Sequence, residues 1–221
     1  MVPFTNRTPF VIFPMSMEHD FGEMHLEHEK EKMEYKGKIL PPDHPDSVRV
    51  RLIAEKIIGA LHRELRKKRI WSAPQYSSEK VGQAWGVESQ TRFLEGLKWE
   101  ILVVKSFECQ AYYLVGGKII YSTAYFKYVS SDAEIATAIS HEVGHAVARY
   151  RAEMITKELW FFVYAYLVLM LTGNAKLAKE RTNALLRLPL SRRMEMEADY
   201  IGRLLVASAG YDPCVAVLAS A

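Results

Sequence analysis

The pentapeptide His141-Glu142-Val143-Gly144-His145 constrains this chain more than any other feature. Histidines four apart project from one face of an α-helix, so both imidazoles can meet one tetrahedral cation while the glutamate between them stands beside it as a base. A helix that serves a metal in this way is buried on that side, and the flanks agree: Ile139, Ser140, Val143, Gly144, Ala146 and Val147 are all uncharged. The start signal is also present. Ser131-Asp132-Ala133-Glu134 reads as a capping box, with Ser131 as N-cap and Glu134 reaching back, which predicts a helix from about 132 past 150. The chemistry implied is zinc-assisted hydrolysis of a peptide bond, with His141 and His145 as ligands and Glu142 as the base.

A three-ligand site needs one more donor. Downstream, Ser191 can cap a helix that carries Met194, Ala198, Ile201 and Leu205 at helical spacing and stops at Gly210 and Pro213. Within it Glu195 and Asp199 are four apart and share a face, while Glu197 points elsewhere. An acidic pair is ordinarily a solvated surface feature. Here the neighbours are otherwise apolar and the site lacks a donor, so this face is expected at the metal.

Composition bounds the rest. A chain of 221 residues with 49% hydrophobic side chains can bury one sizeable core. The balance of 29 basic against 26 acidic residues, net +3, gives no nucleic-acid footprint. Cys109 and Cys214 support neither a disulfide framework nor a thiolate metal site. Pro3, Asn6, Arg7 and Pro14 break the apolar residues of the first seventeen positions, so these read as neither a signal peptide nor a transit sequence, and any address is expected upstream.

Residues 1–36 are expected to form a helical arm, with Met17, Phe21, Met24, His28 and Met33 as one stripe; His19, His25 and His28 read as a solvated face rather than a second metal site. From Asp46 to Arg69, Val48, Leu52, Ile53, Ile57, Leu61 and Leu65 predict an amphipathic helix ending in Arg66-Lys67-Lys68-Arg69, cations suited to a helix C-terminus. Periodicity is lost over about 70–96, read as a variable loop. Residues 98–105 and 117–126, with a turn at Gly116-Gly117, predict two or three strands; an edge strand beside the metal-binding helix would let a substrate peptide add to it.

Leu159 to Leu171 is an uninterrupted run of thirteen apolar or aromatic residues. At about 1.5 Å per residue it spans about 20 Å against a hydrocarbon thickness of about 30 Å. A core helix, or one dipping into a membrane interface through Trp160, Tyr164 and Tyr166, is therefore favoured over a spanning one.

With HEVGH, the apolar helix and SRRMEMEADYIG…AGYDP in this order, the chain resembles the membrane-associated zinc metalloendopeptidases related to HtpX and the CAAX prenyl proteases, and most of all their mitochondrial inner-membrane branch, named for overlapping activity with the m-AAA protease. TNRTPFVI, YKGKILPPDHPDSVRVRLIAEKII, LKWEILVV, GGKIIYSTAYF and SDAEIATAISHEVGHAVARY carry the same resemblance, which covers about residues 4 to 213. It implies a mainly α, α+β fold of zincin-like (gluzincin) type with a small sheet beside the HExxH helix, in a peptidase domain over 37–221. It also implies one zinc ion per chain held by His141, His145 and Glu195, Glu142 as catalytic base, and Asp199 hydrogen-bonded to a ligand histidine. Polypeptide substrates, notably damaged membrane proteins, membrane contact and an inner-membrane location come from the resemblance alone.

Two departures temper it. Gln110-Ala111-Tyr112-Tyr113-Leu114-Val115-Gly116-Gly117 stands where the family commonly has Asn-Ala, an aromatic and Pro-Gly-Gly, which implies an altered substrate-side strand. The chain also ends at Ala221, short of the family's His-Pro segment. The rival expectation is thus a truncated, catalytically weak relative that acts as a membrane-bound binding or regulatory protein.

Overall fold

In a computed structural model, described for residues 2–12, 14–35, 37–71, 94, 96–129 and 131–214, the chain is mainly helical with one small sheet. Six α-helices are described: α1 (Met15–Tyr35), α2 (Pro45–Trp71), α3 (Asp132–Ala148), α4 (Tyr150–Thr172), α5 (Ala175–Thr182) and α6 (Leu188–Ser208). The strands are β1 (Glu100–Val104), β2 (Ala111–Leu114) and β3 (Lys118–Ser122). The expected loop at 70–96 lies largely outside the described residues, although Ile70 and Trp71 extend α2.

The sheet order is β1-β3-β2. β3 is central and buried throughout, parallel to β1 from Glu100↔Lys118 to Val104↔Ser122 and antiparallel to β2 from Ala111↔Tyr121 to Leu114↔Lys118. The expected second strand stops early, because residues 123–127 form a 3-10 turn that Ser122 caps through the Ala124 N–H. β2 is left as the edge beside α3.

The core lies between α2, α3, α6 and the sheet, and joins Ile53, Ile57, Leu61, Ile135, Ile139 and Ile201. The predicted α2 face is two residues too wide: Val48 and Leu52 are exposed. The α1 stripe faces the wrong way. Glu18, Gly22 and Leu26, each four apart, are its buried positions, whereas Met17, Phe21 and Met24 are exposed. Leu26 packs with Val104, Leu114 and Ile120, and Glu18 forms a buried ion pair with Arg149. A buried acid opposite an arginine outweighs hydrophobic periodicity in setting that helix's rotation. His25 and His28 are exposed on it.

The capping box is present, with Glu134 N–H donating to Ser131 Oγ at 3.2 Å and Ser131 N–H to Glu134 Oε2 at 2.9 Å. The helix stops at Ala148 rather than running past 150, since Arg149 takes a left-handed conformation (φ 55°, ψ 36°) and starts α4 in a new direction. α4 is not a core helix: only Ala152, Glu153, Thr156 and Phe161 are buried among its 23 residues. Ser191 is likewise not a cap. The chain is already helical there, and a π-helical turn over Asn183–Arg187 precedes Pro189 in the first turn of α6, where the wider turn accommodates a residue with no N–H to donate.

Candidate metal centre

α3 presents His141 and His145 to α6. The two helices approach closely because glycines stand at their contact: a Cβ on Gly144 would lie 2.6 Å from the Ala198 carbonyl oxygen, and one on Gly202 3.2 Å from the Ser140 carbonyl oxygen. Any side chain at 144 would hold α6 off and withdraw its acidic face from the histidines.

Glu195 completes the constellation. His141 Nε2 and His145 Nε2 are 3.0 Å apart, and Glu195 Oε2 is 3.1 Å from the first and 3.5 Å from the second. Among the described residues, this is the group of histidine, cysteine and acidic side chains whose ligand atoms converge, all within 4.8 Å of one another. Two donors about 2.0–2.1 Å from a tetrahedral zinc ion lie about 3.3–3.4 Å apart, so the three atoms fit such an ion with small adjustment. Two imidazoles and one carboxylate are a donor set of the three-ligand kind found in catalytic zinc sites rather than the four-ligand kind of structural ones.

Asp199 Oδ1 lies 2.8 Å from His141 Nδ1 and accepts its hydrogen, turning Nε2 toward the point of convergence. His145 Nδ1 is buried without a protein hydrogen-bond partner among the described residues; its ring is held edge-on to His141 and against Tyr150, with centroids 4.6 and 4.9 Å away.

The electrostatics match. Burial works to lower the His141 pKa, but the Glu195 hydrogen bond, the Glu142 charge and Asp199 outweigh it and raise it to about 9. Hydrogen bonds to His141 and His145 hold the Glu195 carboxyl well below the usual carboxylate range, against partial burial. Both shifts express one interaction: across their short contacts the Glu195 carboxylate and the imidazoles favour each other's charged forms.

Glu142 is buried, and its Oε2 accepts the Tyr113 N–H at 2.7 Å. Burial pushes its carboxyl up, opposed by the two histidines and by Tyr113. Arg151 Nε donates to the Tyr113 carbonyl at 3.1 Å. Both outward polar groups of Tyr113 on edge strand β2 are thus engaged by side chains, an arrangement that no local pattern in the sequence announces. Beside His141 and Glu142 opens a cleft of about 240 Å³, lined also by Tyr125, Val129, Thr137 and Arg203.

The structure therefore brings together His141, Glu142, His145, Glu195 and Asp199, as the spacing predicts. Glu197 points to the far side, where Thr5 and Arg7 hold it. That contact was not legible, since partners 192 and 190 residues apart leave no periodic signal.

The chain is 41% identical over 259 aligned positions to the mitochondrial metalloendopeptidase OMA1 of Arabidopsis thaliana, covering 97% of this chain and 53% of that protein. It is 30% identical to the protein of the same name in Saccharomyces cerevisiae, over 80% of this chain and 45% of that one. The β-barrel assembly-enhancing protease of Yersinia pestis is 25% identical over 50% of the chain. The chain spans about half the length of its mitochondrial relatives. The model of peptidase family M48 matches residues 80–219, which take in both α3 and α6, and the chain belongs to that family, whose fold is zincin-like.

Proposed function

We propose that this chain is a zinc-dependent metalloendopeptidase acting on membrane or misfolded polypeptides in the mitochondrial inner membrane, with the peptidase domain over 37–221 and residues 1–36 as its arm. The observation that carries this reading is the convergence of His141 Nε2, His145 Nε2 and Glu195 Oε2 beside a buried Glu142. The names of the plant and yeast relatives support the compartment and the activity. The complete constellation favours an enzyme over a binding or regulatory relative.

His141, His145 and Glu195 would hold zinc, which when bound supplies Lewis acidity for hydrolysis. Glu142 takes a proton from the attacking water and delivers it to the amine nitrogen as the C–N bond breaks. Asp199 keeps the His141 ring in one orientation. Before a substrate strand can pair with β2, the Tyr113 N–H and carbonyl must exchange Glu142 and Arg151 for the incoming peptide.

Membrane contact is supported by α4. Its apolar run, residues 159–171, reaches about 20 Å, enough to enter but not to cross a hydrocarbon layer of about 30 Å, and Trp160, Phe162, Tyr166, Met170 and Leu171 are exposed along it. Little of its most apolar stretch is buried within the protein.

Wild type and Glu142→Gln compared in detergent test the activity, with bound zinc read by mass spectrometry and cleavage by an unstructured membrane-protein substrate. Equal zinc and lost cleavage in the variant are expected. A zinc-loaded wild type that cleaves nothing the variant spares would favour the regulatory reading.

A further inference from the structure

Behind the metal centre, a loop from the N-terminus ties together the three helices that frame it. Val2 is fully buried in the main core, and the loop closes on itself through Val2 N–H to the Arg7 carbonyl (2.6 Å) and Asn6 N–H to the Val2 carbonyl (2.9 Å). Arg7 is thus presented from an anchored segment. Its Nε donates to Glu197 Oε2 of α6 at 2.6 Å, its Nη1 to Glu153 Oε2 of α4 at 2.5 Å, and its Nη2 to the carbonyl of Ala148, the last residue of α3, at 3.3 Å. Thr5 Oγ1 donates to the other oxygen of Glu197. Lys157 Nζ donates to the other oxygen of Glu153 at 2.5 Å, and Arg193 lines the same recess.

We propose that Arg7 is a positioning residue for the metal centre, a clasp that sets the spacing of α6 against α3 and so brings Glu195 onto His141 and His145. The inference rests on those three residues being the ligands. At about 100° per residue, Glu197 lies about 200° round α6 from Glu195, on the opposite side of the helix. A tie at Glu197 therefore fixes the rotation and height of α6 from behind, on the side away from the contacts that Glu195 makes with the two histidines. Ala148 lies three residues beyond His145, so the same guanidinium is anchored to both ligand helices.

The charges say what its loss would do. The Glu153 and Glu197 side chains are only 3% and 8% exposed. Without Arg7, Lys157 still neutralises Glu153, but Glu197 keeps only the Thr5 hydroxyl as a hydrogen-bond partner among the described residues, with Arg193 lining the same recess. A buried charge without its partner is costly. Turning α6 to return Glu197 to water relieves it, and the same rotation takes Glu195 off the histidines.

The test is the zinc dissociation constant of the full chain, measured by competition with a chromophoric chelator, with thermal unfolding recorded in parallel. Arg7→Ala is expected to weaken zinc binding about tenfold or more, in the range found for residues that orient metal ligands. Arg7→Lys, which keeps the charge but not the three-way fork, should fall between it and wild type. Arg7→Ala combined with Glu197→Gln removes the stranded charge and should recover most of the lost affinity, which loss of packing alone would not do. Wild-type affinity in Arg7→Ala, or a double variant no better than Arg7→Ala, overturns the proposal. If Arg7→Ala does not fold, Arg7→Gln takes its place with the same two criteria. Glu195→Ala is measured alongside: if it binds zinc as tightly as wild type, the ligand assignment fails, whereas if it loses zinc and Arg7→Ala does not, the clasp alone fails.

Discussion

Two apolar helices meet at Arg149 and have opposite environments. α3 buries eleven of its residues, from Ile135 to Ala148, and accepts α6 so closely that its contact carries a glycine. α4, richer still in large hydrophobics, buries four of 23. Apolar content alone therefore does not say which helix is core. What separates them is shape: α3 offers small residues at regular intervals, so another backbone can approach and fix donor atoms to within tenths of an ångström, whereas α4 offers bulky side chains on all sides and suits a partner that conforms, such as lipid.

The sharpest way to break this contrast is Gly144→Ala. On an ordinary helix the change would stabilise by about 1 kcal/mol; here the added Cβ meets the Ala198 carbonyl, and the close fit predicts destabilisation by about 1–3 kcal/mol in chemical denaturation together with loss of retained zinc. A stabilised, zinc-retaining variant would show that α6 has room to spare. Next in size is Asp199→Asn, expected to keep the fold and weaken zinc binding about ten- to a hundredfold in a chelator titration. Ser131→Ala removes the hydroxyl that accepts the Glu134 N–H, leaves the residue 131 backbone N–H donating to Glu134, and should cost about 1 kcal/mol of stability with zinc affinity nearly unchanged. Smallest is the paired change Phe162→Ser and Leu171→Ser on α4, whose side chains are 69% and 86% exposed: stability and zinc should stay within about 0.5 kcal/mol of wild type, while recovery with liposomes in flotation falls. A large loss of stability in detergent would make α4 a packed element after all.

The same contrast explains what the sequence could reveal. The ligand helix was legible because its signals are local: a capping box, two histidines one turn apart and uncharged flanks. Glu195 and Asp199 were legible as a face with a four-residue spacing, though only a missing donor or a family likeness connects that face to α3. The rotation of α1 was misread because a buried ion pair between Glu18 and Arg149, 131 residues apart, overrides its methionine stripe. The break at Arg149 was missed because an arginine is not the residue that ordinarily signals a left-handed turn. The cap expected at Ser191 is absent because a π-helical turn ahead of Pro189 keeps the chain helical through it. The clasp at Arg7 and the engagement of Tyr113 by Glu142 and Arg151 arise from tertiary packing, which spacing does not encode.

The account depends on one point of convergence between α3 and α6. Its most direct test is zinc per chain after dialysis against a weak chelator, for wild type and for Glu195→Ala, with circular dichroism to show that both are folded. One zinc ion in wild type and a fraction of that in the variant is the predicted result. A folded Glu195→Ala that holds its zinc as wild type does would contradict it.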